Sequence, residues 1–132
     1  MSFLLDTDIC SQFMRGNPQV VQRVFQYAGR LHVSVITVGE LYSGALRAKV
    51  SRRLLPGVTS LLADLQMLDI SFDVAYTFGV IRASILDGGL PGPDLDLLIA
   101  ATALVHDLTL VTHNVSDYGG VPDLRIADWM EP

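Results

Sequence analysis

Asp94-Leu95-Asp96-Leu97-Leu98-Ile99-Ala100-Ala101-Thr102-Ala103-Leu104-Val105 is the stretch that decides the fold. It predicts a helix capped by Asp94 and apolar on nearly every side from Leu97 onward. A solvent-facing helix keeps a polar stripe, so a helix without one is buried on more than one face. Leu108 to Thr112 follows as a short strand. The same alternation runs back through the chain. Phe3-Leu4-Leu5 reads as a buried strand that meets a polar cluster, Asp6-Thr7-Asp8, suited to a helix N-cap. A short helix to Met14 stops at Gly16-Asn17-Pro18, and Pro18 opens a second helix reaching about Tyr27. Gly29-Arg30 turns the chain into a strand from Leu31 to Val35.

Thr37-Val38-Gly39-Glu40 has the capping-box pattern, which predicts a helix from Thr37 to about Ala48. Pro56-Gly57 is expected to interrupt the next segment, where Leu61, Leu62, Leu65 and Leu68 fit a helical face. Leu68-Asp69-Ile70 reads as a third strand, and Val74 to Leu86 as a helix with Tyr76, Val80 and Ala83 one turn apart. A loop dense in turn residues precedes Asp94, and Leu124-Arg125-Ile126 reads as a last strand. Short apolar strands alternating with helices imply an α/β fold with a mainly parallel central sheet.

At 132 residues the chain is expected to form one domain, 1–132, large enough for a real core. Its 9 Lys and Arg against 14 Asp and Glu give a net charge of −5. Proteins that bind nucleic acid through bulk charge are basic, so a nucleic-acid role here needs a local basic patch or metal ions. The single cysteine, Cys10, excludes an internal disulfide and a Cys-rich zinc module, and fits a reducing cytoplasm. No apolar run reaches the roughly 18 residues of a membrane span, and the N-terminus lacks the pattern of a signal peptide.

The acids are placed informatively. Asp6 and Asp8 end the first strand, Glu40 lies past the second, Asp94 and Asp96 open the apolar helix, and Asn114 and Asp117 follow the late strand. Open parallel sheets bind ligands beyond the carboxyl ends of their strands. Asp6, Asp8, Glu40 and Asp94 each have a plain reading as helix-capping residues. Asp96 is harder to dismiss, because a carboxylate at the start of an all-apolar helix points inward, and a buried carboxylate needs a partner or a cation. Carboxylate oxygens suit Mg²⁺ or Mn²⁺. His32, His106 and His113 lack ligand spacing, Cys10 sits on a short apolar helix, and no phosphate-binding glycine motif is present. Arg47, Lys49, Arg52 and Arg53 form the one basic cluster, ordinarily a solvated face but also the natural contact for a polyanion.

Four segments, in this order, resemble the PIN-domain ribonuclease toxins of the VapC type. They are Leu5-Asp6-Thr7-Asp8-Ile9-Cys10, Ile36-Thr37-Val38-Gly39-Glu40-Leu41-Tyr42-Ser43-Gly44-Ala45, the block from Gly92 to Leu104, and Leu110-Val111-Thr112-His113-Asn114-Val115-Ser116-Asp117-Tyr118. The resemblance implies a PIN-like α/β/α sandwich and a Mg²⁺- or Mn²⁺-dependent endoribonuclease restrained by a cognate antitoxin. It matches Asp6, Glu40 and Asp96 to the family's metal-binding acids. Asn114 or Asp117 takes the last catalytic position. Looped or single-stranded RNA is the expected substrate, because its bases are accessible.

Two rival readings remain at this point. Asp6-Thr7-Asp8 also suits a haloacid-dehalogenase-type phosphatase, although that family wants a downstream lysine and Lys49 comes too early. A PIN fold kept as a catalytically weak binding module or corepressor is the other. The apolar faces around Leu41-Tyr42, Leu54-Leu55 and Leu61-Leu62 exceed what one sheet covers. They are expected to serve a homodimer and an antitoxin helix, with operator DNA reached only through the antitoxin.

Overall fold

Five short strands pair in parallel in the order β3-β2-β1-β4-β5. They are β1 (Phe3–Leu5), β2 (Leu31–Ser34), β3 (Gln66–Leu68), β4 (Thr109–Val111) and β5 (Ile126–Ala127). The helices are α1 (Thr7–Met14), α2 (Pro18–Gln26), α3 (Val35–Ala45), α4 (Leu54–Ala63), α5 (Phe72–Asp87) and α6 (Asp94–Val105). A computed structural model describes residues 1–47, 53–90 and 93–131. Among the described residues, no helix is long and apolar enough to cross a membrane.

The chain starts in the middle of the sheet, steps outward through β2 to β3, then returns to β4 on the other side of β1. Right-handed crossovers in opposite directions place their helices on opposite faces. The two cores follow that division. Phe3 and Leu5 of β1 pack with Ile9, Cys10, Val20, Leu41, Val58 and Leu61 from α1 to α4. Leu4, between them, faces the other way and packs with Val74, Ile81 and Ile85 of α5 and with Leu97, Ile99 and Ala100 of α6. This alternation along three residues is the period-two signature of a strand covered on both faces. The result is the expected helix–sheet–helix sandwich.

Most elements fall where the sequence puts them, with five differences. Helix α3 begins at Val35, because the Ser34 side chain accepts from the Ile36 N–H at 3.1 Å and takes the cap. The expected Thr37–Glu40 capping box is therefore not a helix start; both residues lie inside α3, which ends at Ala45 rather than near Ala48. Pro56 does not break its segment but sits in the first turn of α4, where its missing N–H leaves no intrahelical bond unmade. The third strand is Gln66–Leu68, two residues earlier than read. On α5 the stripe Tyr76, Val80 and Ala83 faces solvent, while Val74, Ile81 and Ile85 face the core. Two apolar stripes share that helix, and its packing against α6 selects between them. At α6, Pro93 holds the N-cap position and Asp94 is the first helical residue, ion-paired to Arg82 at 2.9 Å.

Candidate active site

The order of strands reverses between β1 and β4, so their carboxyl ends diverge into the crevice where open α/β sheets bind ligands. Asp6 sits at the end of β1 and caps α1, its Oδ1 accepting from the Thr7 N–H at 2.8 Å. It is almost fully buried. Its Oδ2 accepts from the Thr112 hydroxyl just past β4 and from the Tyr118 hydroxyl, each at 2.9 Å. Thr112 in turn accepts from the Asn114 N–H at 3.1 Å. Three donors thus hold one carboxylate, and two of them are side chains more than a hundred residues away in sequence.

Glu40 projects from the second turn of α3, and its Oε1 accepts from the Thr7 hydroxyl at 2.6 Å. Thr7 lies 3.2 Å from the buried Thr37 hydroxyl. A hydroxyl has one proton to give, so with Thr7 donating to Glu40, Thr37 supplies the proton between the two threonines. Asp96 is the third residue of α6 and half-buried. Burial first, then the charges of Asp6, Asp117 and Glu40, push its carboxyl up to about 6 from the ordinary 3.8, against a hydrogen bond with Tyr118 that lowers it. Asp117 is exposed on a 3₁₀ turn, Val115–Tyr118. The structure thus brings Asp6, Glu40, Asp96 and Asp117 into one electrostatic neighbourhood. Asn114 stands at the cap of the 3₁₀ turn without a side-chain capping bond, its carbonyl accepting from the Asp117 N–H at 3.1 Å.

Asp8 is occupied elsewhere. Its two oxygens accept from the Ile9 and His113 main-chain N–H groups at 2.8 and 2.9 Å, tying α1 to the segment after β4. Burial, the largest influence, raises its carboxyl above the ordinary value. With both oxygens on main-chain donors it is badly placed to act as the phosphatase's second acid. Cys10 is fully buried and its thiol pushed far up by that burial, so it is core rather than nucleophile. His113 pairs with Asp128 at 2.9 Å at the exposed ends of β4 and β5, with Glu131 alongside. None of the four acids belongs to that group.

A cleft of about 390 Å³ runs from Thr7 and Glu40 between α1, α3 and α4, floored by Leu41 and Val58 and edged by Arg15 and Arg47. Of the expected basic contacts, Arg47 lies on this cleft and Arg53 is exposed at the start of α4. Lys49 and Arg52 lie outside the described residues, as do Pro91 and Gly92 of the third quoted segment. The sequence reading missed Arg15, Thr7, Thr112 and Tyr118. Arg15 carried no signal, since it ends a short helix far from the other cations in sequence.

The partner faces expected from the sequence are largely internal. Leu41 and Leu61 are buried, and Tyr42, Leu55 and Leu62 pack against the first core; only Leu54 is well exposed. Helices α3 and α4 cover each other and α1, which uses those side chains up. An exposed apolar stripe lies on α5, where Phe72 is 81% and Tyr76 66% exposed, their rings stacked 6.4 Å apart, with Val80 beyond.

The PIN-domain family pattern matches residues 3–116. The chain is 32% identical over 130 residues to the tRNA(fMet)-specific endonuclease VapC of Salmonella typhimurium, covering 98% of each. It is 33% identical over 131 residues to ribonuclease VapC2 of Haemophilus influenzae, covering 98% of this chain and 99% of that one. Its fold superposes on a crystal structure of DNA-bound VapBC from Salmonella typhimurium with a TM-score of 0.91 at 32% identity, over 98% of each chain.

Proposed function

Because this chain belongs to the PIN-domain family, among its VapC ribonucleases, we propose that it is a Mg²⁺- or Mn²⁺-dependent endoribonuclease, the toxin of a toxin–antitoxin pair. The observation that supports this best is the acid set. Asp6 lies at the sheet's switch point, and the charges of Asp6, Glu40 and Asp117 all bear on Asp96. Ionised carboxylates crowded in this way call for a cation, and all-oxygen donors suit a hard divalent one. Asp6, Glu40 and Asp96 would hold it. When bound, such an ion polarises the scissile phosphate and supplies a water of lowered pKa.

The chain's own groups do the remaining work. The Thr7 hydroxyl fixes one oxygen of Glu40 and leaves the other to present, while Asp6 is held at both oxygens, with Oδ1 taking a single donor and so keeping a lone pair to offer. Asp117 is the better fourth acid, because its charge already acts on Asp96, while Asn114 shapes the turn that carries it. Arg47, with Arg15 opposite, offsets the repulsion between an acidic site and the RNA backbone. Arg53, next in sequence to the cleft residue Leu54, extends that contact, and Lys49 and Arg52 are assigned to it from the sequence alone. The name of the Salmonella relative makes initiator tRNA the first substrate to try.

The partners we assign are a cognate antitoxin, through which operator DNA is reached, and a second copy of the chain docked by α5. The VapBC structure that this chain resembles supports the first, and the exposed Phe72–Tyr76–Val80 stripe the second. Cleavage by the purified, antitoxin-free protein should vanish in EDTA and return with Mn²⁺ or Mg²⁺, and an Asp6→Asn preparation should be inactive throughout. Undiminished activity in EDTA, or activity in the Asp6→Asn preparation, refutes the metal-dependent reading. A wild-type protein silent with every RNA and both ions favours the binding-module alternative.

A further inference from the structure

Between the end of α5, the start of α6 and the 3₁₀ turn lies a pocket of about 170 Å³ that has no part in the chemistry described so far. Its floor is apolar, made by the buried side chains of Ile85, Leu97 and Val121, and Leu90 forms an exposed wall. Its rim is polar, with Ser116 and Asp117, both exposed. The pocket adjoins the acids through the chain itself. Leu97 is the residue after Asp96, and the turn that carries Asp117 is capped by Asn114, whose N–H bonds the same Thr112 that holds Asp6. An RNA strand with a phosphate at the acids therefore brings a neighbouring nucleotide to this pocket.

The lining selects the occupant. The volume is well below the roughly 300 Å³ of a site for a drug-sized ligand, so it takes a single base. Apolar walls suit the faces of an unstacked base, the form in which looped and single-stranded RNA is read. No cation stands among the described residues that line the pocket, so the Asp117 carboxylate repels phosphate and accepts from N–H groups. Adenine, cytosine and guanine each offer an exocyclic amino group, whereas uracil sets its one N–H between two carbonyl oxygens that a carboxylate repels. We propose that this pocket receives one unpaired base beside the cleaved bond and selects an amino-bearing base over uracil. This rests on the ribonuclease reading above and gives that site a sequence preference.

The test uses a stem-loop RNA that the wild type cuts, remade with A, C, G, U or an abasic sugar at each position flanking the cut. At one of the two positions, kcat/KM with Mn²⁺ should be about 10-fold or more higher for an amino-bearing base than for uridine or the abasic sugar. A Cβ at Gly120 meets Ile85 side-chain atoms at 3.7 Å, an ordinary contact, so Gly120→Leu fills the pocket. That variant should cut the abasic RNA at the wild-type rate and lose the preference. Leu90→Ala shortens the wall at an exposed position, and should lower the ratio of amino-bearing to abasic cleavage about 4-fold or more with the abasic rate unchanged; it decides alone if Gly120→Leu does not fold. A wild type indifferent to the base at both positions overturns the inference, as does a preference that survives in both variants, and either result leaves the ribonuclease standing. A wild type that cuts no RNA overturns the ribonuclease reading and this inference together.

Discussion

Replacing Asp96 by Asn tests whether the acids form a site or merely start helices. The rise of its carboxyl from 3.8 to about 6 sets a ceiling of about 3 kcal/mol on what the ionised form costs the metal-free fold. Asp96 is only half-buried, and solvent screening cuts that figure by about half. Its charge in the first turn of α6 is favourable to the helix by about 0.3–1 kcal/mol, and Asn forfeits that too. The balance leaves metal-free Asp96→Asn about 1 kcal/mol more stable than wild type at pH 7.5, or about 3–5 °C in a thermal melt. The sign follows from linkage. An aspartate whose folded value is raised does no harm below its unfolded value of 3.8; the penalty grows between 3.8 and about 6 and is complete above. The advantage of the variant should therefore fade as pH falls toward 4. Mn²⁺ should raise the wild-type melting temperature, by mass action on the folded state, and raise that of Asp96→Asn far less. Melts of both proteins, in EDTA and in Mn²⁺, at pH 7.5 and pH 4, give the answer. A metal-free variant clearly less stable than wild type, with an unchanged Mn²⁺ response, would make Asp96 a helix-start residue and the site misassigned.

Thr7→Val deletes the donor that holds Glu40 and should lower cleavage about 10-fold or more, with Thr7→Ser restoring it; equal rates in all three proteins would mean that Glu40 needs no holding. Val80→Arg places a charge in the exposed α5 stripe, and sedimentation at micromolar concentration should show it shifting a wild-type dimer to monomer. A wild-type protein that sediments as a monomer, or a variant that remains dimeric, removes α5 as the contact.

The sheet and the place of the acids were readable because both rest on local pattern. Phe3-Leu4-Leu5 followed at once by Asp6 is a buried strand ending at a ligand-binding edge, and nothing distant is needed to see it. The helix α6 declared itself by having no polar face. Where two local patterns competed, the sequence could not arbitrate. Ser34 and Thr37 both suit an N-cap, and only the end of β2 selects Ser34, which carries Glu40 into the helix body and frees its carboxylate for the site. Both stripes of α5 have helical spacing, and only α6 decides which is covered. The hydroxyls of Thr112 and Tyr118 were illegible for another reason. Their bonds to Asp6 span 106 and 112 residues, and no spacing rule reaches that far.

Those long spans also govern when the protein can act. Strand β1 leaves the ribosome well before its partners, since its neighbour β4 and the hydroxyl of Tyr118 come more than a hundred residues later. At about 5–20 residues per second, Asp6 is extruded roughly 5–20 s before the groups that hold it exist. Parallel pairing between such distant segments is slow to form as well, because the intervening loop must close first. A nascent chain therefore carries its carboxylates without a working arrangement of them. The centre is assembled only once those later segments have emerged, a built-in delay between making the first acid and exposing the cell to a working site.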